Sequence, residues 1–334
     1  MRKRLSVAAA ATLLLAACGS TSSTGSTPAA GSASGSATAA AKARKVVYIQ
    51  GMSGIPFYQT VACGAAEEAK AAGVDFSYQG ASEWDVAKQT QIVDAVVAGK
   101  PDAIMISVTD TKAMTAPLVK AKAAGIPIIG IDDTLVDTSV MKTYIQSDSI
   151  AGGKLAGEKM GQLLGGKGAV MALNNEPGTP IGDARVEGFK QGIAEFPGIT
   201  FIGVQYTQNG VDKAANIAST TAGANGKLTG IFGVTTNNTQ GAVTGVREAK
   251  KTGQIKIVGY DTSDPIVQAL RDGGADALVV QYPFGEGKAG IQSAEKIWKG
   301  EPVDAKQSSP FVVATKDNLD TPDVQKYLYK MTCS

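Results

Sequence analysis

Polar side chains able to grip a small molecule recur in this chain at one kind of place, the turn that follows a buried apolar run. Asp132 and Asp133 follow Pro127-Ile128-Ile129-Gly130-Ile131, and Asp261 follows Ile257-Val258-Gly259-Tyr260. Thr235 and Asn237 follow Ile231-Phe232-Gly233-Val234, Gln281 closes Leu278-Val279-Val280, and Arg185 sits in a helix opening after Asn174-Asn175. Ionised carboxylates are the stronger hydroxyl acceptors, and a guanidinium presents a rigid fork of donors. Phe57 and Tyr58 come after the first apolar run, and Trp84 precedes a helical stretch near Asp85. A flat aromatic face suits the C–H face of a sugar ring. Each residue has a plainer reading alone: a hydrophobic staple, solvated turn acids, a helix-face salt bridge, ordinary packing. Their common position is what joins them.

Catalysis is a poor match. The chain has no histidine, which removes Ser-His-Asp and Cys-His nucleophile systems and His-ligated metals. No nucleophile–base pair, P-loop or metal-ligand cluster stands out, so no cofactor and no metal are expected. A lipid-anchored glycosidase using Asp132 or Asp133 is the weakest alternative, because adjacent carboxylates on one turn cannot easily flank a bond from both sides. Arg2, Lys3 and Arg4 account for the whole +2 excess of basic residues. The near-neutral remainder gives no electrostatic reason to bind nucleic acid.

The elements that must position these residues alternate strand and helix from Lys45 onward. Apolar runs such as Val46–Ile49, Ala103–Ile106, Gly168–Leu173 and Ala277–Val280 are continuous rather than alternating, the pattern of parallel strands covered on both faces. Between them lie helical patterns at Gly64–Ala72, Asp85–Ala98, Ile150–Leu164 and Asn238–Lys251, with Gly73, Gly99, Gly125 and Gly253 predicted as C-terminal caps. This is an α/β chain, and its 334 residues exceed what one core usually holds. The rhythm breaks at Asp132–Ser147, where a second extended run, Lys142–Gln146, precedes a new helix-first series from Asp148. That break predicts two sheets. Ligands of open α/β sheets bind beyond the carboxyl ends of the strands, so two facing sheets enclose a cleft.

Residues 1–18 read as an export signal: a basic start, an apolar run from Leu5 to Ala17, and Leu15-Ala16-Ala17-Cys18, which resembles a bacterial lipobox with Cys18 as the lipid-bearing residue. An ordinary signal beside an incidental cysteine is the alternative. Residues 19–44 are almost all Gly, Ser, Thr and Ala and are expected to act as a disordered tether. With Cys18 lipidated, Cys63 and Cys333 remain as an even pair in an oxidising compartment. They are expected to tie the C-terminal tail to an early helix, two unrelated buried thiols being the other possibility.

From about Lys45 to about Thr315 the chain resembles the periplasmic sugar-binding proteins of the ribose and galactose type. The resemblance rests on Ile55-Pro56-Phe57-Tyr58, Ile126–Asp132, Gln146–Gly157, Ala184–Phe189, Val258-Gly259-Tyr260-Asp261 and Trp298-Lys299-Gly300-Glu301. It implies two Rossmann-like lobes with parallel sheets covered by helices, joined by three crossings. The lobes would be 45–147 plus 282–310 and 148–281 plus 311–316, followed by a tail at 317–334. It also implies that Phe57 and Tyr58 border the sugar, and that Asp132, Arg185, Asp261 and Gln281 bond its hydroxyls. Departures bear on the ligand. Asp132-Asp133 stands where the family has Asp-Arg, Thr235-Thr236 followed by Asn237-Asn238 stands where it has Asn-Asp, and Ser107 replaces an asparagine. Ribose and galactose are therefore not assumed.

The function so implied is solute capture for an ABC importer. The solute would be a monosaccharide, polyol or related sugar, the partners a permease and an ATPase, and the protein a monomer held by Cys18 at the outer face of the membrane. A sensory receptor for a furanosyl signal molecule is the alternative. A transcriptional regulator would need an N-terminal helix-turn-helix, where this chain carries the export signal.

Overall fold

The computed structural model describes residues 42–224 and 226–333. The expected signal, Cys18 and the tether up to residue 41 lie outside them. The first sheet has the order β11-β5-β4-β3-β1-β2, where β1 is Lys45–Ile49, β2 Asp75–Gln79, β3 Ala103–Ile106, β4 Ile128–Ile131, β5 Thr143–Ser147 and β11 Lys306–Ser309. The second has the order β12-β10-β9-β8-β6-β7, where β6 is Lys167–Asn174, β7 Gly198–Tyr206, β8 Leu228–Gly233, β9 Lys256–Tyr260, β10 Ala277–Gln281 and β12 Phe311–Ala314. All pairings are parallel except β12 against β10, which is antiparallel. The helices are α1 Pro56–Ala72, α2 Val86–Ala98, α3 Thr115–Ala123, α4 Ser149–Leu163, α5 Pro180–Ile193, α6 Val211–Ala224, α7 Thr236–Glu248, α8 Asp264–Asp272, α9 Pro283–Lys299 and α10 Pro322–Gln325.

β3 and β4 are apolar throughout, and β10 up to its final Gln281, because both faces are covered. Every residue of β3, β4 and β10 is buried. Along β1, Val46 and Tyr48 join one apolar layer while Val47 and Ile49 join the opposite one. Burying each large aliphatic side chain contributes about 1.5–3 kcal/mol, which commits such runs to the interior. Edge strands carry no such signal: β2 reads DFSYQ and is mostly exposed.

Helix ends differ from expectation in instructive ways. α1 starts at Pro56, eight residues before Gly64, because proline's fixed φ suits the first helical position. Phe57 and Tyr58 therefore stand on its first turn. Gly73 closes α1 at φ 67 as a left-handed cap, but Gly99 keeps a right-handed φ of −74 and Lys100 takes the turn at φ 47. Likewise α7 stops before Ala249, and Lys250 turns at φ 57 ahead of Gly253.

The chain passes between sheets after β5, after β10, and at Pro310 between β11 and β12. α9, although it follows a strand of the second sheet, packs on α1 of the first lobe. Their backbones come so close that a Cβ on Gly64 would overlap the Phe284 carbonyl and one on Gly287 the Val61 carbonyl. A similar glycine contact sets α4 against α5, where a Cβ on Gly153 would strike the Arg185 carbonyl oxygen. That contact places Arg185.

Candidate functional site

A cavity of about 310 Å³ lies where the strand-end loops of the two lobes meet. Its wall contains Phe57, Tyr58, Trp84, Asp132 and Asp133 from the first lobe, Arg185, Thr235, Asn237 and Asp261 from the second, and Gln281 from the end of β10. Asp132 follows β4 and Asp261 follows β9, the third strand of each sheet. Both backbones turn left-handed, at φ 63 and φ 68, a conformation aspartate tolerates better than most residues. In each case the amide still bonds the neighbouring strand, Asp132 N to Ile145 O at 2.8 Å and Asp261 N to Val279 O at 2.8 Å. The twist past the last ladder bond swings each carboxylate into the cleft.

The two carboxylates are differently equipped. Asp261 Oδ1 accepts Gln281 Nε2 at 2.8 Å and the Tyr329 hydroxyl at 2.7 Å, and its Oδ2 lies 3.7 Å from Arg185 Nη1. Gln281 is itself held, its Oε1 accepting the Ser147 hydroxyl. Asp132 is only 8% exposed, yet its carboxyl receives no hydrogen bond among the described residues. Burial, with Asp133 and Glu286 close by, pushes its pKa well up despite Arg185. Burial also raises Asp133 to about 6 against the pull of Arg185. The pair thus keeps a proton more readily than free carboxyls.

Arg185 is 2% exposed. Its Nη1 donates to Val234 O at 2.9 Å and its guanidinium lies 3.7 Å above the Tyr260 ring. Burial opposes its charge, but Tyr260, Asp261 and Asp132 outweigh that and raise its pKa. Its Nε is buried without a partner among the described residues. On the opposite side Tyr58 stacks on Trp84, ring centroids 6.4 Å apart at 26°, and Phe57 meets Tyr58 edge-on at 5.4 Å. Trp84 is 44% exposed at the rim.

Thr235 and Asn237 reach the cavity while also serving local structure. Thr235 caps α7, and Asn237 Nδ2 donates to Asn209 O at 2.8 Å. Ser107 is not at the cleft, which corrects the expectation. It is fully buried, its hydroxyl shares a 2.9 Å hydrogen bond with that of Tyr48, and its carbonyl accepts Gln89 Nε2 at 2.8 Å. The buried Gln89 also accepts Thr109 N at 2.8 Å, so the loop after β3 surfaces two residues later, as Thr109 and Asp110. Asn175 and Asn209 line the wall too. Following the chain four residues past β3, to Asp110, and three past β7, to Asn209, reaches Thr109, Asp110 and Asn209, while the signal for Asn175 is the polar step at Asn174-Asn175.

Cys63 on α1 and Cys333 are joined by a disulfide, their Cα atoms 5.0 Å apart. The wall as a whole offers carboxylates, amides and one guanidinium beside aromatic rings, the groups that bind a polyhydroxylated ring. Among the described residues, no histidine or cysteine lines it.

Comparison with known proteins agrees with this geometry. Residues 31–302 match the model of a family described as the periplasmic binding protein domain. The ribose import binding protein of Haemophilus influenzae is 31% identical over 251 residues, covering 75% of this chain and 84% of that protein. A solute-binding protein of an ABC transporter from Agrobacterium vitis, solved with alpha-D-tagatopyranose, is 34% identical with a TM-score of 0.83, covering 86% of this chain and 99% of that one. A carbohydrate transporter solute-binding protein from Agrobacterium radiobacter, solved with D-arabinose, is 30% identical with a TM-score of 0.80, over 86% and 99% of the two chains.

Proposed function

This chain belongs to the periplasmic binding protein family, and on that premise we propose that it is the solute-binding subunit of an ABC importer that captures a monosaccharide or related polyol between two closing lobes. The observation that carries this is the opposed pair Asp132 and Asp261, aimed into one cavity from equivalent strand ends. A sugar spanning the cleft satisfies the unpartnered Asp132 on one lobe and the Arg185–Asp261 pair on the other. It therefore binds the closed form better than the open one and shifts the population toward closure. The moving bodies are residues 45–147 with 282–310 and 148–281 with 311–316.

Binding occurs without turnover, in a monomer that then docks on a permease driven by an ATPase. Cys18 carries the lipid and residues 19–44 give the folded body reach from the outer face of the membrane. The test is a thermal-shift screen with D-ribose, D-tagatose, D-arabinose, polyols and amino sugars. A ligand raises the melting temperature through RT ln(1 + [L]/Kd). A shift with at least one sugar or polyol, lost in Asp261→Ala, is expected; no shift with any of them overturns the proposal.

A further inference from the structure

Resting on the sugar capture proposed above, we infer that the C-terminal segment 327–333 is part of the binding apparatus, with Tyr329 as the residue that positions Asp261 for the sugar. After β12 the chain stays on the second lobe. Leu319 and Val324 are buried there, and Arg271 grips Asp320 through two bonds of 2.9 and 2.7 Å. It then crosses back. Tyr327 packs on Tyr282 with centroids 4.8 Å apart, and Tyr329 N donates to Thr262 Oγ1 at 3.1 Å, one residue from Asp261. Lys330 N donates to Thr60 Oγ1 at 2.6 Å, and Cys333 is bonded to Cys63.

The landing site is one stripe of α1. Phe57, Thr60 and Cys63 are spaced three apart and share a helix face. They hold, in order, the ring of Tyr329 (5.7 Å, 75°), the backbone of Lys330, and Cys333. The segment is therefore a fourth connection between the lobes, covalently closed on the first and hydrogen-bonded to the second. Tyr329 is 8% exposed, and its hydroxyl reaches the same Asp261 oxygen that takes Gln281 Nε2. Two donors on Oδ1 fix the carboxylate plane and leave Oδ2 to face Arg185 and the cavity. A hydrogen bond to a charged group in a buried site is among the stronger ones, so this single hydroxyl sets the orientation of a principal sugar acceptor.

The test compares oxidised full-length wild type, Tyr329→Phe, and the pair Cys63→Ser with Cys333→Ser. Affinity is measured by calorimetry and release by Trp84 fluorescence, using whichever of D-ribose, D-tagatose and D-arabinose wild type binds most tightly. Tyr329→Phe keeps the ring and its contact with Phe57, so a packing role alone leaves affinity unchanged. Positioning through Asp261 instead raises Kd about tenfold, mostly as faster release. The Ser pair is expected to speed release as well, and Tyr329→Phe to cost less in that background than in wild type. Wild-type affinity in Tyr329→Phe, or wild-type release from the Ser pair, overturns the inference.

If wild type binds none of the three sugars, the functional proposal suffers and the strap is judged without ligand. By hydrogen exchange, the Tyr329 and Lys330 amides must open faster in the Ser pair and the Asp261 amide faster in Tyr329→Phe. Unchanged exchange overturns the inference on its own.

Discussion

Asp132 and Asp261 are structural counterparts. Each follows the third strand of its sheet, each takes a left-handed backbone, and each keeps one amide bond to the adjacent strand while its carboxylate enters the shared cavity. Backbone strain and a buried carboxyl without a partner are both costs to folding. Both residues bear the first cost, and Asp132 alone bears the second, since the Asp261 carboxylate is bonded by Gln281 and Tyr329.

Asp132→Asn separates those two effects. Asparagine also tolerates positive φ and cannot become a buried charge, so the melting temperature of the unliganded protein is expected to stay level or rise. Sugar affinity is expected to fall about tenfold or more, since one of the two carboxyl oxygens that can accept a sugar hydroxyl is replaced by an amide NH2 that can only donate. Thermal scans and calorimetric titration of one preparation check both.

Arg185 is expected to be intolerant of both removal and conservative exchange. Arg185→Ala leaves Asp261 buried without its counter-charge, a class of change costing about 3–5 kcal/mol, and the melting temperature falls by several degrees. Arg185→Lys keeps the charge but loses the planar face over Tyr260 and the second fork of donors. Binding is expected to be lost with a smaller drop in stability. Chemical denaturation of both variants gives the comparison.

Gly153→Ala tests how the helix pair positions that arginine. The added methyl meets the Arg185 carbonyl rather than a flexible side-chain end. α4 and α5 must move apart, and both stability and affinity are expected to drop although residue 153 never touches the cavity. Normal affinity in this variant would mean that Arg185 is placed by its own contacts alone.

Glu286 gives the stability of the unliganded protein a pH dependence. It is 1% exposed on the first turn of α9. Burial raises its pKa from the ordinary 4.5 to about 8, with Asp261 adding to the rise and Ser309 and Arg185 opposing it. Asp132 and Asp133 titrate close by and are raised as well. The folded state therefore binds more protons than the unfolded one between these values, and stability falls as pH rises. The Glu286 contribution is fully present below about 4.5 and gone above about 8. Glu286→Gln is expected to flatten the decline of melting temperature across that window, and a slope equal to wild type would contradict it.

The sequence and the structure part company at identifiable places. β3, β4 and β10 are readable because both faces are covered, so β3 and β4 are apolar throughout and β10 is apolar up to Gln281. β2 and β11 (DFSYQ and KQSS) lie at sheet edges where burial imposes no pattern. Site residues at or just past the end of a central strand, Gln281 closing β10 and Asp132 and Asp261 following β4 and β9, are legible for the same reason. Ser107 is misplaced because Gln89 holds the chain inside for two more residues. Tyr329 has no local signal at all: it meets Asp261 across a separation of 68 residues, through a tail whose path only the folded chain defines.

The central claim, that one sugar is gripped by opposed carboxylates of both lobes, is tested most directly by titrating wild type, Asp132→Ala and Asp261→Ala calorimetrically with the sugar that wild type prefers. One-to-one binding by wild type with a Kd of about 10 μM or tighter, near −7 kcal/mol, is expected, weakened at least about a hundredfold by either substitution. Wild-type affinity in either variant would place the sugar on one lobe only and contradict the account.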